Sequence, residues 1–268
     1  VDKMIKKNQA LADVHESVVG ACLMTDLKEF SSVFQTRTPA EVVRLLNNYF
    51  DVLFPVVRGA GGHPIDVLGD AMLALWYAAS PTPAVRENAC LAALQLAEAA
   101  GRFRESGSNQ VFHTRIGIEY GEMSLSGVGA FFHREFRPVG APVNAAARLQ
   151  ELAKRLGTQV LVTSSVLAGL KRFLARDVGH FRLRGFDDHV HVYELMGERD
   201  HATPAQLDLC EKFKLALASY QAGKGDEARA RFEEILAIKA YERDGPSIFF
   251  RQKCASHSYP VQGALVQE

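Results

Sequence analysis

Apolar residues follow two rhythms along this chain. Val18-Val19-Gly20-Ala21-Cys22-Leu23-Met24-Thr25 is a continuous run rich in apolar and β-branched residues and predicts a buried strand. Thr38-Pro39-Ala40-Glu41 opens a helix: Thr38 caps it, Pro39 sits in the first turn where no amide donor is missed, and Glu41 completes a capping box. Behind it Val42, Leu45, Leu46, Tyr49, Leu53, Val56 and Val57 recur at helical spacing until Gly59 or the Gly61-Gly62 pair, with Pro55 placed to kink the last turns. Ile65–Leu68 and Ala71–Trp76 predict a hairpin around Gly69-Asp70. Pro81-Thr82-Pro83 starts a second helix, Ala84 to about Arg104. Val111–Glu119 alternates as a strand, Tyr120-Gly121 reads as a turn, Met123–Val128 returns, and a hairpin tip follows near Ala130–His133. Pro142–Leu156 is an alanine-rich helix, and Gln159–Thr163 and His191–Leu195 are strands. This order predicts an α+β sandwich, with one mostly antiparallel sheet and helices packed on one face.

The ends differ from this body. Residues 1–17 are polar with sparse apolar positions and read as a linker into a domain spanning 18–197. His201-Ala202-Thr203-Pro204 marks a boundary, after which the pattern is helical only. Over 203–260, Phe213, Leu217 and Tyr220 precede Gly223, and Ala228, Phe232 and Leu236 follow, like one helix–turn–helix unit of the tetratricopeptide type.

Composition narrows the function classes. With 47% hydrophobic residues in 268, a sizeable core is expected and disorder is not. Lysine plus arginine equals aspartate plus glutamate at 31 each, so no global field recruits nucleic acid or an anionic membrane, and phosphate recognition has to be local. Cys22, Cys90, Cys210 and Cys254 are scattered, without metal or redox spacing, and read as reduced thiols of a cytoplasmic protein. His113, His133 and His191 are assigned structural or surface roles rather than metal ligation. No apolar run is long enough to cross a bilayer. Because the chain begins with Val1, it is expected to be a cytoplasmic fragment of a longer, membrane-anchored protein with a sensor upstream.

The candidate chemistry lies where strands end. Asp26 closes the first apolar run and Asp70 sits in the predicted hairpin turn, places where carboxylates hold hard cations without burying charge. If they converge, they make a site for a metal-bound triphosphate. Asn144 and Arg148 stand one helical turn apart on one face of the third helix.

These residues fall in motifs that match a family. Thr25-Asp26-Leu27-Lys28-Glu29-Phe30, Leu45-Leu46-Asn47-Asn48-Tyr49-Phe50, Leu68-Gly69-Asp70-Ala71-Met72-Leu73-Ala74, Arg115-Ile116-Gly117-Ile118-Glu119-Tyr120-Gly121-Glu122, Val143-Asn144-Ala145-Ala146-Ala147-Arg148-Leu149 and Gly185-Phe186 occur in that order. The stretch from about Val18 to Leu195 resembles the class III nucleotide cyclase catalytic domain, the adenylate and guanylate cyclase homology domain. The C-terminal unit resembles the helical tail that follows such domains in some bacterial membrane-sensor cyclases.

The resemblance implies a ferredoxin-like βαββαβ sandwich with a C-terminal helical hairpin. It implies a lyase that closes a nucleoside triphosphate, ATP or alternatively GTP, to its 3′,5′-cyclic monophosphate and pyrophosphate in signal transduction. Two Mg2+ or Mn2+ ions per site are implied on Asp26, Asp70 and the Leu27 carbonyl. The loop Leu27–Phe30, through Lys28 and Glu29, would offer backbone amides to the β- and γ-phosphates. Arg148 would stabilise charge at the transferring α-phosphoryl group, Asn144 would position the ribose, and Arg184 stands where the family carries a phosphate-binding lysine. In the family the aspartates come from one subunit and the Asn–Arg pair from the other, so a homodimer is implied.

Two positions depart from the pattern. The base-reading lysine of adenylate cyclases is replaced here by Asp66, and its acidic or threonine partner by Arg137. Two readings stand: Asp66 accepts from N1–H and the amino group of guanine while Arg137 donates to O6, or the two side chains form a salt bridge across the interface and leave the base unread. A degenerate domain that binds nucleotide or only dimerises is the competing function, and a helical interaction module on an inert body is a third. The Phe131-Phe132 pair fits a dimer contact or simple packing equally.

Overall fold

A computed structural model describes residues 15–28, 30, 37–104, 112–130 and 133–255. The chain falls into two units, divided between Gln150 and Glu151, and each is taken by itself.

The first unit runs β1 (His15–Leu27), α1 (Pro39–Gly59), β2 (His63–Leu68), β3 (Ala71–Ala78), α2 (Pro83–Arg102), β4 (Thr114–Ala130), β5 (His133–Val139) and the first turns of α3 (Ala141–Leu156). Its strands lie in the order β2-β3-β1-β4, with β5 paired to β4. β1 is antiparallel to both β3 and β4, so β1-α1-β2 is a split crossover with β3 inserted, the βαββαβ arrangement the sequence predicts. The opening of α1 is also as predicted: the Thr38 side chain accepts from the Glu41 amide, and the Glu41 carboxylate accepts from the Thr38 amide at 2.8 Å. Gly69, at φ 65°, makes the β2–β3 turn that leads into Asp70.

Three details differ from expectation. β1 begins at His15, because pairing with β4 continues to His15↔Ser126, and the polar Glu16 and Ser17 are exposed, where they cost little. Tyr120-Gly121 is no turn: β4 runs unbroken through it, with Gly121 opposite Gly20 and a Cβ at 121 only 3.0 Å from the Pro142 ring. The glycine serves close approach rather than chain reversal. Helices also cover both faces of the sheet. Trp76 donates its indole N–H to Ala60 at the end of α1, whereas Leu73 and Leu75 point the other way, into a cluster with Cys22, Met24, Met123, Leu125 and Ala146 of α3. On that second face a Cβ at Gly117 would fall 2.2 Å from the Ala146 carbonyl, so only glycine lets α3 sit this close to β4.

The second unit holds β6 (Val160–Thr163), a short α4 (Ser164–Leu167), β7 (Phe173–Arg182), β8 (His189–Glu198), α5 (Pro204–Gln221), α6 (Gly225–Ala237) and α7 (Gly245–Ala255). Its strands lie β6-β8-β7, all antiparallel. β7 has no counterpart in the predicted elements: a register shift at Asp177/Gly179 and a buried charge at Arg176 break its alternation. Helices α5 and α6 pack on each other and α6 packs on α7, around Phe213, Phe232 and Phe250.

Arg176 is the electrostatic anchor of this unit. It is 2% exposed, ion-paired to Glu194 on β8 and to Asp244 just before α7 (2.9 Å), and its guanidinium stands 4.6 Å from the Phe213 ring of α5. One cation, two carboxylates and an aromatic face therefore tie the strands to the helical tail. Asp244 also accepts from the Ser247 amide, fixing the start of α7. Replacing Arg176 by Met keeps volume but leaves two carboxylates without their cation, so Arg176→Met is expected to destabilise this unit by about 3–5 kcal/mol, read by denaturant unfolding.

Candidate active site

The carboxylates of Asp26 and Asp70 come together at one end of the β1–β3 pairing. Asp26 is the penultimate residue of β1, and Asp70 follows the Gly69 turn into β3. Three contacts hold the two segments. The Met72 amide donates to Thr25 Oγ1 (2.9 Å), the Leu27 amide donates to Asp70 Oδ2 (3.3 Å), and β1 pairs with β3 up to Met24↔Leu73. Behind them the buried Tyr49 hydroxyl of α1 is hydrogen-bonded to Thr114 at the start of β4, the residue opposite Leu27. Burial, with Asp70 and Asp26 nearby, raises the Tyr49 phenol, which stays neutral under the pair.

Arg115 was not among the residues the motifs singled out for chemistry. It lies directly across β4 from Asp26 and donates to Asp26 Oδ2 at 3.0 Å, with its side chain 12% exposed. Its signal in the sequence was its place at the head of the Arg115–Glu122 motif, which carried no chemical role by itself.

The electrostatics are those of a cation site. Burial first, and then the Asp26 charge, push the Asp70 carboxyl above its ordinary range. Arg115 pairs with one of the two carboxylates, so positive charge is short at Asp70. Divalent ions with hard oxygen ligands fit that deficit. Among the described residues no three His, Cys, Asp or Glu side chains form a metal-binding group, so substrate phosphates and water would complete the coordination, as Mg2+ prefers.

The phosphate loop is more committed than expected. The Leu27 amide is given to Asp70 and the Lys28 amide to the His113 carbonyl at 2.7 Å, so neither is available to a phosphate as the sequence reading supposed. Strand pairing at the end of β1 uses the donors first. The Lys28 side chain is exposed and the Phe30 side chain buried. Glu29 lies outside the described residues, as do Phe131 and Phe132.

Asn144 and Arg148 sit one turn apart on α3, Asn144 exposed and Arg148 half-buried, while Ala145, Ala146 and Leu149 are buried. Asp66 and Arg137 are in contact within one chain: Arg137 approaches Asp66 Oδ2 at 2.9 Å, and Asp66 Oδ1 accepts from the Val67 amide at 2.8 Å. This corrects the expectation of a salt bridge across an interface, because β5 brings Arg137 to Asp66 of its own β2. In the second unit Arg184 is exposed in a tight turn closed by the Phe186 amide donating to the Leu183 carbonyl (3.0 Å), with Gly185 at φ 87°.

Comparison with known proteins decides the family. Residues 14–197 match the family described as the adenylate and guanylate cyclase catalytic domain. The chain belongs to this family. It is 33% identical over 180 residues to Adenylate cyclase 1 of Rhizobium meliloti, covering 65% of this chain and 27% of that protein. It is 24% identical over 249 residues to the terminal-differentiation-specific adenylate cyclase of Dictyostelium discoideum, covering 91% of this chain and 12% of that one. The chain thus spans a minor part of these relatives' lengths. Its fold is that of the adenylyl cyclase CyaB from P. aeruginosa (TM-score 0.61, 18% identity, covering 71% of this chain and all of that one). It is equally that of the guanylate cyclase domain of RhGC from Catenaria anguillulae in complex with GTP (TM-score 0.60, 19% identity, covering 70% and 100%). The family holds both adenylate and guanylate cyclases, so membership leaves the base open.

The like-charge pair gives a test that needs no substrate. Asp70→Asn keeps an acceptor for the Leu27 amide and removes the repulsion, so the metal-free variant should melt at or above the wild type, by up to about 2–4 °C. Mg2+ or Mn2+ should raise the melting temperature of the wild type and leave the variant unmoved. Because the Asp70 carboxyl holds its proton more tightly than usual, the metal-induced shift should already shrink at pH values above the ordinary aspartate value of 3.8. Circular dichroism melts with and without metal check all three.

Proposed function

We propose that this chain is a homodimeric, metal-dependent purine nucleotide cyclase acting on ATP. The carrying observation is the side-by-side placement of Asp26 and Asp70, with a shortage of positive charge at Asp70. Two Mg2+ or Mn2+ ions on Asp26, Asp70 and the Leu27 carbonyl would lower the pKa of the attacking 3′-hydroxyl and neutralise the triphosphate.

The residues then have separate tasks. Asp26 and Asp70 bind the cations and keep the phosphates at β1's end. Arg148 of a second copy meets the negative charge that develops at the α-phosphorus as the O3′–Pα bond forms and the Pα–O bond to pyrophosphate breaks, and Asn144 orients the ribose. Arg184 holds the leaving phosphates. Lys28 contributes exposed charge near that loop rather than a free amide. ATP is favoured because the relatives named above are adenylate cyclases. A guanylate cyclase is favoured by one local observation, Asp66 in place of a lysine, and a non-turning domain by another, the closed Asp66–Arg137 pair.

The surroundings of the domain are proposed in the same way. Helices α5 and α6 are read as one tetratricopeptide-like unit, and the small share of the relatives' lengths supports a sensor region outside this chain. Among the described residues no helix is long and apolar enough to cross a membrane. The catalytic region is placed in the cytoplasm of a membrane-anchored signalling protein.

Turnover assays with ATP and with GTP, each with Mn2+, should yield cyclic product with specific activity that rises with protein concentration as dimers form. Asp70→Ala and Arg148→Ala, each inactive alone, should regain activity when mixed, since one intact site can form between them; no recovery would remove the shared-site reading. The double exchange Asp66→Lys with Arg137→Asp should move the ATP-to-GTP ratio toward ATP by about tenfold, on the scale of one bidentate base contact.

A further inference from the structure

The β7–β8 hairpin carries a group of ionisable side chains that the cyclase reading does not use. His180 on β7 and His191 on β8 are direct cross-strand partners, and their rings stack with centroids 4.1 Å apart and planes 18° from parallel. The sequence reading gave His191 a structural or surface role; the hairpin register sets it against His180. Asp177 Oδ2 lies 2.9 Å from His191 Nε2, in poor alignment for a hydrogen bond, and the Tyr193 hydroxyl lies 3.3 Å from His191 Nδ1. The Asp177 carboxylate contacts His191 directly, and its charge also acts on His180, where it opposes burial and the His191 ring without outweighing them.

The remaining neighbours are few. On the same hairpin, His189 lies opposite Arg182, and its charge acts on His180. Helix α5 approaches this stretch with Leu217 and the Gln221 amide near Gly179, neither of which ionises. Arg176 and Glu194, a cross-strand pair further along, alternate to the other face, where Arg176 meets Phe213. A second proton on the stack thus adds a positive ring against a positive ring, with one carboxylate between them.

The hairpin turn begins two residues beyond the stack on β7 and carries Arg184. We propose that the His180–His191 stack is a proton-sensitive clasp, which holds the two strands and the Arg184 turn together while a ring is neutral and loosens them when both rings are charged. Its effect on substrate binding rests on Arg184 being the phosphate-binding residue proposed above.

The sign follows from the environment of His180. Burial first, and then His191, lower its pKa below the ordinary 6.5. The folded hairpin prefers the neutral ring, so the stability it contributes is complete above the ordinary value and is lost as the pH falls below it.

Hydrogen exchange reads the clasp without nucleotide. Between pH 7.5 and 5.5, after correction for intrinsic rates, protection of the amides at 180–182 and 189–191 should fall by about tenfold in the wild type, one pKa unit's worth of coupling. His180→Phe keeps a stacking ring that cannot charge, and its protection should not change over that range. Equal loss in the two proteins overturns the proposal. NMR titration of the wild-type imidazoles decides it independently of any variant: a His180 midpoint at or above that of a free histidine overturns it. In the active protein, acidification should raise KM for the triphosphate more in the wild type than in His180→Phe. An exchange difference without a KM difference leaves the clasp standing and removes Arg184 from the phosphate site.

Discussion

The register of β1 against its two neighbours is the constraint on which the site depends. β1 pairs with β4 along its whole length and with β3 from Val19 to Met24, so its position is fixed from both sides. A slip of one residue would turn Asp26 to the opposite face and exchange the two apolar faces of the sheet. With the register held, Asp26 meets Arg115 across one ladder while the Leu27 amide meets Asp70 across the other. The sandwich thus keeps two mutually repelling carboxylates side by side, at the cost of a half-buried charge at Asp70.

The arrangement divides into two sets within one chain. The carboxylates belong to β1 and the β2–β3 turn, whereas Asn144 and Arg148 belong to α3, which Gly117 admits onto the second face of the sheet. The Asp66–Arg137 pair is likewise drawn together within the protomer. A half-exposed ion pair is weak, roughly 0–1 kcal/mol, so little free energy is needed to open it.

Local chemistry was the legible part of the sequence. The Thr38–Glu41 box and the Gly69-Asp70 turn depend on residues within four positions of one another, and both appear as expected. The order of elements followed because strand and helix periods differ clearly in this chain. What depended on register was hidden. Arg115 acquires its role only by standing opposite Asp26, His180 only by standing opposite His191, and Gly121 was taken for a turn because its neighbour Pro142 is distant in sequence. β7 was missed because its one buried arginine is neutralised by residues 18 and 68 positions away, pairings no local window contains.

That arginine also separates two notions of a module. The family match ends at residue 197, yet Arg176 within it takes one carboxylate from Asp244 and its aromatic partner from Phe213, both beyond that limit. Homology and cooperative folding therefore draw their borders in different places. A chain cut where the recognisable cyclase ends would carry a cation stripped of half its counter-charge into the open, so the appendage is best regarded as part of the enzyme's own interior.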